Sequence, residues 1–126
     1  MNLLGIDYGK KKIGLAYAVL GVDLVMPLGQ IGGGEEKIRR GKVIEIIKEK
    51  QINKIVVGYP YGLKGEKNEN TARVDKFVNQ LKNDFDIEIE LVDERFSSLL
   101  ADRMGGTVSR DEKAAMVILQ SYLAKK

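Results

Sequence analysis

The segment Lys54–Tyr59 is short, almost continuously apolar and shows no regular alternation of polar with apolar residues. Such a run is typical of a strand that is buried on both faces. Helical patterns flank it on both sides: a helix is predicted over 35–50, and apolar residues at 74, 77, 78 and 81 follow the helical spacing i, i+3, i+4, i+7. The pattern predicts an α/β structure in which helices pack on a sheet.

Three further strands are predicted before the first helix. Two apolar runs, one ending near Asp7 and one starting at Ile13, are joined through a turn at 9–12, which indicates a hairpin. The third strand is predicted over 24–31 and contains Pro27. Because proline has no backbone N–H to donate, we expect this strand at an edge of the sheet or at a bulge.

The C-terminal part continues the alternation of strands and helices. Residues 87–92 alternate with period two and predict a strand, and a helix is predicted over Arg95–Met104. Ser109 with Glu112 three residues later forms a capping-box pattern that opens a final helix ending at about Ala124. The order βββαβαβαα predicts a single domain over residues 1–126, with a mixed five-stranded sheet flanked by helices.

The 126 residues include no cysteine and no histidine. This composition excludes disulfides, thiolate catalysis, zinc sites with cysteine ligands and histidine as a general base. Any metal must then be held by oxygen ligands, which select hard cations such as Mg²⁺ or Mn²⁺. The composition suits a reducing cytoplasm, and the longest apolar stretch, 13–22, is shorter than the roughly 20 residues of a membrane helix. We therefore expect a cytoplasmic protein without membrane contact.

Acidic residues lie at the ends of several predicted elements: Asp7, Asp93, Glu94 and Asp111. Each has an ordinary explanation, because acids are common in turns and at helix N-termini. Together they fit a site better, since functional groups in open α/β sheets gather beyond the carboxyl ends of strands and adjacent parallel strands would bring such ends together. Clustered carboxylates repel one another unless a cation lies between them. The set therefore indicates a divalent-metal site able to hydrolyse phosphodiesters.

The net charge of +3 is compatible with a nucleic-acid partner and does not require one. Basic residues in or beside predicted loops are candidates for contacts to a polyanionic substrate, although an ordinary solvated side chain is the better explanation for any one of them alone: Lys10, Lys11, Lys12, Lys64, Lys67 and Arg73. The glycines at 32–34 resemble a phosphate-binding loop, but Glu35 and Glu36 follow at once and would repel an anion. We interpret them as a flexible connection.

Five ordered blocks span nearly the whole chain: Gly5-Ile6-Asp7-Tyr8-Gly9 with Ile13-Gly14-Leu15-Ala16, then Ile55–Pro60 with Gly65, Val74 with Phe77 and Leu81, Asp93-Glu94-Arg95, and Asp111 with Ala114-Ala115 and Ile118-Leu119. Together they resemble the YqgF/RuvX family, whose members are regarded as Holliday-junction resolvases and as nucleases that mature the 5′ end of pre-16S ribosomal RNA. The resemblance implies a ribonuclease H-like fold and phosphodiester hydrolysis that depends on Mg²⁺ or Mn²⁺.

The same resemblance implies a metal site formed by Asp7, Asp111 and the pair Asp93/Glu94, with Glu94 taken as the ligand beside Asp7 and Asp111. It also implies substrate contacts from Arg95 and Ser97. Relatives in the wider fold carry an acid at the end of the fourth strand, where this chain has no carboxylate between 58 and 60. Asp93 or Glu94 is therefore expected to substitute, and the sequence leaves open which of the two points inward.

Four functions follow from these features. The first is a nuclease acting on structured RNA, free or within precursor ribosomal particles, as a monomer or homodimer. The second is a junction-specific DNA endonuclease, which needs a symmetric dimer to present two sites to a branched substrate. The third is a nucleic-acid-binding module without activity, which would gain nothing from carboxylates facing phosphates. A nucleotide-binding fragment of the actin and sugar-kinase type also opens on an Asp-x-Gly hairpin, but it would need a second such domain.

Overall fold

The computed structural model describes residues 1–62, 64–93 and 108–124. Five strands and three helices lie within these residues: β1 Asn2–Tyr8, β2 Lys12–Val19, β3 Val22–Gly32, α1 Glu36–Glu49, β4 Lys54–Tyr59, α2 Glu69–Asp84, β5 Glu88–Asp93 and α3 Arg110–Ala124. All five predicted strands are confirmed, as are the predicted helices around α1, α2 and α3. The helix predicted over Arg95–Met104 lies outside the described residues.

The strands form one sheet in the order β3-β2-β1-β4-β5. β1 pairs antiparallel with β2, and β2 with β3, whereas β1 and β4, and then β4 and β5, pair parallel. The predicted mixed five-stranded sheet is therefore confirmed. All six residues of β4 are buried, because neighbouring strands cover both of its edges and helices cover both of its faces.

β3 is an edge strand with a bulge at the position of its proline. Leu15 pairs with Gly29 and the next residue, Ala16, pairs with Pro27, so one residue of β3 is left without a partner. Both parts of the expectation for Pro27 are confirmed, because an edge position and a bulge each remove the need for its missing N–H.

Helices cover the two faces of the sheet, and each face has its own core. Leu4 and Ile6 of β1 pack beneath α1 and α2, in a cluster that includes the fully buried Phe77. Leu3 lies on the opposite face and packs beneath α3 with Ile118. We call these the α1/α2 face and the α3 face. Because side chains alternate along a strand, successive residues of β1 belong to different faces.

The backbone of α3 lies unusually close to the sheet. A Cβ atom added at Gly5 would lie 2.9 Å from the Ala115 carbonyl oxygen and 2.5 Å from Leu119 Cγ. The predicted role of the small pair Ala114-Ala115 in letting this helix approach the sheet agrees with that spacing. The close approach sets the position of the first turn of α3 relative to the ends of β1 and β2.

Candidate active site

Asp7 lies near the carboxyl end of β1 and is partly buried. It is directly opposite Gly14 in the antiparallel pair of β1 and β2. The side-chain directions of directly opposed residues point to the same face, with Cβ atoms about 4.5–5.5 Å apart. Asp7 lies four positions after Leu3 in β1, an even step, so its side chain belongs to the α3 face like that of Leu3.

Asp111 lies in the first turn of α3, directly above Gly14. A Cβ atom added at Gly14 would overlap the Asp111 carbonyl oxygen and would lie 2.9 Å from Asp111 Cβ. With the cross-strand spacing, this places the Cβ atoms of Asp7 and Asp111 within roughly 8 Å of each other. Two acidic residues from opposite ends of the chain thus lie near each other on one face, because Gly14 leaves room for the first turn of α3.

The start of α3 is held by Glu112. The Ser109 hydroxyl donates to Glu112 Oε1 at 2.9 Å, and the Glu112 N–H donates to Ser109 Oγ at 3.2 Å, so the predicted capping pair is confirmed. The other carboxylate oxygen, Oε2, accepts a hydrogen bond of 2.6 Å from the Gly29 N–H of β3. Glu112 therefore joins the first helical turn to the edge strand and positions the neighbouring Asp111.

The donor atoms of this pair fit a hard divalent cation. Carboxylate oxygens are the ligands that Mg²⁺ and Mn²⁺ prefer, and two carboxylates on one face are stabilised by a cation between them. In residues 1–62, 64–93 and 108–124, no three acidic residues lie close enough together to hold an ion. Asp7 and Asp111 would supply two ligands, and Glu94, Arg95 and Ser97 lie outside the described residues.

The structure does not bring Asp93 together with Asp7. We expected adjacent parallel strands to join these acids, but β4 lies between β1 and β5. Asp93 pairs with Tyr59, whose side chain packs in the core of the α1/α2 face. Because paired residues in a parallel ladder point to the same face, Asp93 points away from the face that carries Asp7 and Asp111.

The predicted basic residues lie in three places: the hairpin turn, α2, and the connection between β4 and α2. Lys10, Lys11 and Lys12 are exposed in and beside the hairpin turn, next to a pocket of about 370 Å³ that Gly33 and Gly34 also line. These two glycines, in the connection between β3 and α1, have φ of +76° and +72°, which glycine adopts without strain.

Arg73 and Lys10 line a neighbouring pocket of about 190 Å³ on the α1/α2 face. Lys64 lies in the connection between β4 and α2, where its N–H donates to Glu66 at 3.0 Å, and it lines neither pocket. The structure therefore groups Lys10 with Arg73 and separates Lys64 from both.

Sequence analysis missed Arg39, which lines both pockets and is only 8% exposed. Its signal is its position: Arg39, Val43 and Ile47 are the buried residues of α1 and are spaced four apart. A basic residue in line with the apolar stripe of a helix is expected to be buried beside the core. The spacing in the sequence could therefore have identified Arg39.

No helix within the described parts of the chain is long and apolar enough to cross a membrane. A match to a family model identifies the family of this chain. The family model described as "RuvX: Holliday junction resolvase" matches residues 1–125. The chain belongs to the RuvX family.

Relatives of this RuvX chain cover nearly its whole length. A Bordetella pertussis protein named "Putative pre-16S rRNA nuclease" is 40% identical over 123 residues, which are 97% of this chain and 92% of that protein. A Dictyoglomus turgidum protein with the same name is 36% identical over 138 residues, covering 98% and 94% of the two chains. The resemblance read from the sequence is confirmed, and the RuvX chain is a nuclease-type hydrolase of nucleic-acid ester bonds.

Solved structures show the ribonuclease H-like fold of the RuvX chain. Thermus thermophilus RuvC in complex with Holliday junction substrate superposes with a TM-score of 0.66 at 16% identity, covering 99% of this chain and 95% of that one. The Fowlpox virus resolvase, in a complex with Holliday junction DNA, gives a TM-score of 0.62 at 10% identity, with coverage of 99% and 98%.

Proposed function

We propose that this protein is a divalent-metal-dependent nuclease that cleaves phosphodiester bonds in the 5′ maturation of pre-16S ribosomal RNA in the cytoplasm. The observation that carries the proposal is the meeting of Asp7 and Asp111 on one face above Gly14. The names of the relatives support the RNA substrate, because they come from proteins that match almost the entire chain.

In the proposed mechanism the two carboxylates would hold the cation from rigid elements. Asp7 is fixed by the pairing of β1 with β2, and Asp111 by the cap and strand contact of Glu112. When bound, Mg²⁺ or Mn²⁺ would supply Lewis-acid stabilisation of the charge that develops on the phosphate. Hydrolysis adds water across one P–O ester bond, leaving a phosphate on one product and a hydroxyl on the other.

The lysines at the hairpin tip assist binding by their charge. Lys10, Lys11 and Lys12 follow Asp7 closely in the chain and are exposed beside the end of β1. Cations in this position raise the local concentration of a polyanionic strand and offset the repulsion between its phosphates and the carboxylates. They therefore act in binding, whereas the acids act in the chemical step.

We propose Glu94, and not Asp93, as the third acid of the site. Val92 packs on the α3 face and Asp93 points to the α1/α2 face. Asp93 thus lies on the face opposite to Asp7 and Asp111, which leaves Glu94 as the candidate from the acidic pair that the sequence alone left equivalent.

Replacing Glu94 by glutamine should lower the cleavage rate by at least about 100-fold, because losing a ligand removes several kcal/mol of stabilisation by the cation. Asp93→Asn should change it by less than about tenfold. Single-turnover cleavage in Mn²⁺, with both variants at equal folded concentration, measures the two effects. A larger loss for Asp93→Asn would assign the role to Asp93.

The substrate is tested by offering precursor 16S RNA and a four-way DNA junction side by side in Mn²⁺. We expect cleavage of the RNA, free or within precursor ribosomal particles, and intact junction DNA. The family description favours a junction resolvase as the second candidate. That function predicts the reverse result, together with a homodimer in sedimentation, since a branched substrate needs two sites. If neither nucleic acid is cleaved in any form, the enzymatic proposal is wrong and a binding module remains.

A further inference from the structure

The pocket of about 190 Å³ lies on the face of β1 opposite to the acid pair. Tyr8 follows Asp7 in β1, so its side chain points to the α1/α2 face, where it stacks on Phe77 with ring centroids 4.4 Å apart. Burial, followed by the nearby Glu36 carboxylate, raises the pKa of the Tyr8 phenol. The pocket thus has a rigid aromatic wall that stays uncharged.

Arg39 of α1 enters this pocket with part of its hydrogen-bonding capacity unused. Its Nη1 donates to the Lys10 carbonyl oxygen at 2.9 Å, which fixes the guanidinium beneath the hairpin turn. Its Nε is buried and has no hydrogen-bond partner among the described residues. A buried donor without an acceptor is costly, so an acceptor atom that reached this N–H would stabilise the side chain.

Glu36, in the same pocket, presents the opposite group. Its Oε2 binds Arg40 at 2.5 Å, whereas its buried Oε1 has no hydrogen-bond partner within the described part of the chain. Arg40 is held in turn by Asp84 at 2.7 Å, so the carboxylate is fixed in place. Two side chains that line the pocket thus each carry one buried polar atom without a partner among the described residues, and each side chain is anchored by another bond.

The charge around these two atoms favours an anion. Among the described residues that line the pocket, Glu36 is the acid and four are basic: Lys10, Arg39, Lys76 and Arg73, which also pairs with Glu69 at 3.7 Å. Arg73 and Lys76 come from α2, so cations approach from the hairpin turn and from both helices. A phosphate oxygen satisfies the guanidinium N–H, and a neighbouring hydroxyl satisfies the carboxylate. A phosphate and a hydroxyl on adjacent parts of one molecule occur together in ribose phosphate.

We propose that this pocket binds one ribose phosphate of an RNA strand, with the phosphate on Arg39 and the sugar 2′-hydroxyl on Glu36. The proposal rests on the proposed function for the presence of RNA. Lys10 and Arg39 also line the second pocket, which continues to the hairpin tip. The strand thus runs from the acid pair on one face of β1, past the tip, into the ribose-phosphate site on the other face.

The test is binding, measured without cleavage. The full-length Asp7→Asn protein, labelled with ¹⁵N, is titrated with a single-stranded RNA hexamer, with the DNA hexamer of the same sequence, and with inorganic phosphate. The Nε–H resonance of Arg39 reports directly on the unused donor, and it should shift with RNA at lower concentration than with DNA or phosphate. An Arg39 resonance that stays unmoved while RNA binds elsewhere would overturn the proposal.

Two double variants distinguish RNA binding in the pocket from a general effect of the positive charge of the protein. Arg73→Gln with Lys76→Gln should weaken RNA binding about tenfold and make the dependence of log K on log salt less steep by about 0.7 for each lost contact. The matched control, Lys37→Gln with Lys42→Gln, removes the same charge from exposed positions of α1 that do not line the pocket. Equal weakening by both pairs would contradict a defined site.

Glu36→Ala tests the sugar contact. The wild-type pocket should prefer RNA over DNA by up to about tenfold, the effect of one hydrogen bond. Glu36→Ala should remove this preference without weakening DNA binding, because a negative charge leaves the pocket. An unchanged RNA preference would overturn the role of Glu36. Binding at Arg39 without cleavage of any substrate would contradict the proposed function alone, so the two failures are distinguishable.

Discussion

Replacing Asp7 by asparagine is expected to lower the rate of phosphodiester cleavage by at least about 100-fold, because one cation ligand is lost. The change keeps the size of the side chain and leaves the pairing of β1 with β2 untouched. Denaturant unfolding in a chelator checks that the variant and the wild-type protein are equally folded.

Thermal unfolding adds a readout that does not depend on the substrate. A cation that binds only the native state raises the melting temperature, so Mn²⁺ should stabilise the wild-type protein and have little effect on Asp7→Asn. The matched control is Asp86→Asn. Asp86 is exposed and lies just before the amino end of β5, whereas Asp7 lies near the carboxyl end of β1, which runs parallel to β5. Cleavage by Asp7→Asn at the wild-type rate would contradict the assigned metal site. So would equal stabilisation of the wild-type protein and Asp7→Asn by Mn²⁺.

Gly14→Ala is expected to disturb the active site and the fold together. The new methyl group would overlap the Asp111 carbonyl oxygen, and a backbone atom cannot turn aside as a side chain can. The first turn of α3 must then move away from β2, and the Asp111 carboxylate moves with it. We expect a loss of about 1–3 kcal/mol in the free energy of unfolding, the usual effect of overpacking.

The loss of cleavage in Gly14→Ala should persist at temperatures where the variant is fully folded, because the separation of Asp111 from Asp7 has changed. Denaturant unfolding followed by single-turnover cleavage separates the two effects. Gly41→Ala is the control: a Cβ there meets no atom within 4 Å, and the residue lies inside α1. It should raise stability by up to about 1 kcal/mol and leave cleavage unchanged. Similar behaviour of the two variants would show that the Gly14 contact has no special role.

Several strands and helix ends were predicted correctly because the pattern that indicates each one lies within a few neighbouring residues. The apolar run Lys54–Tyr59 became a fully buried strand, since its composition leaves no face suited to water. Pro27 marked an edge strand and a bulge because its missing N–H cannot be compensated within a sheet. The Ser109–Glu112 pair marked the start of α3 because the cap is completed within one helical turn. The acids were found as a set because they stand at the ends of these elements.

The sequence by itself thus determined the fold class, the order of elements and the candidate carboxylates, because periodicity and capping depend on neighbours a few residues away. Tertiary structure alone decided that β4 separates β1 from β5, that Asp93 and Asp7 lie on different faces, and that Asp111 meets Asp7 above Gly14. It also decided that Arg39 lies buried beneath the hairpin turn. Strand order and helix docking depend on which distant surfaces pack together. Patterns among neighbouring residues do not indicate which residues far apart in the chain will be in contact.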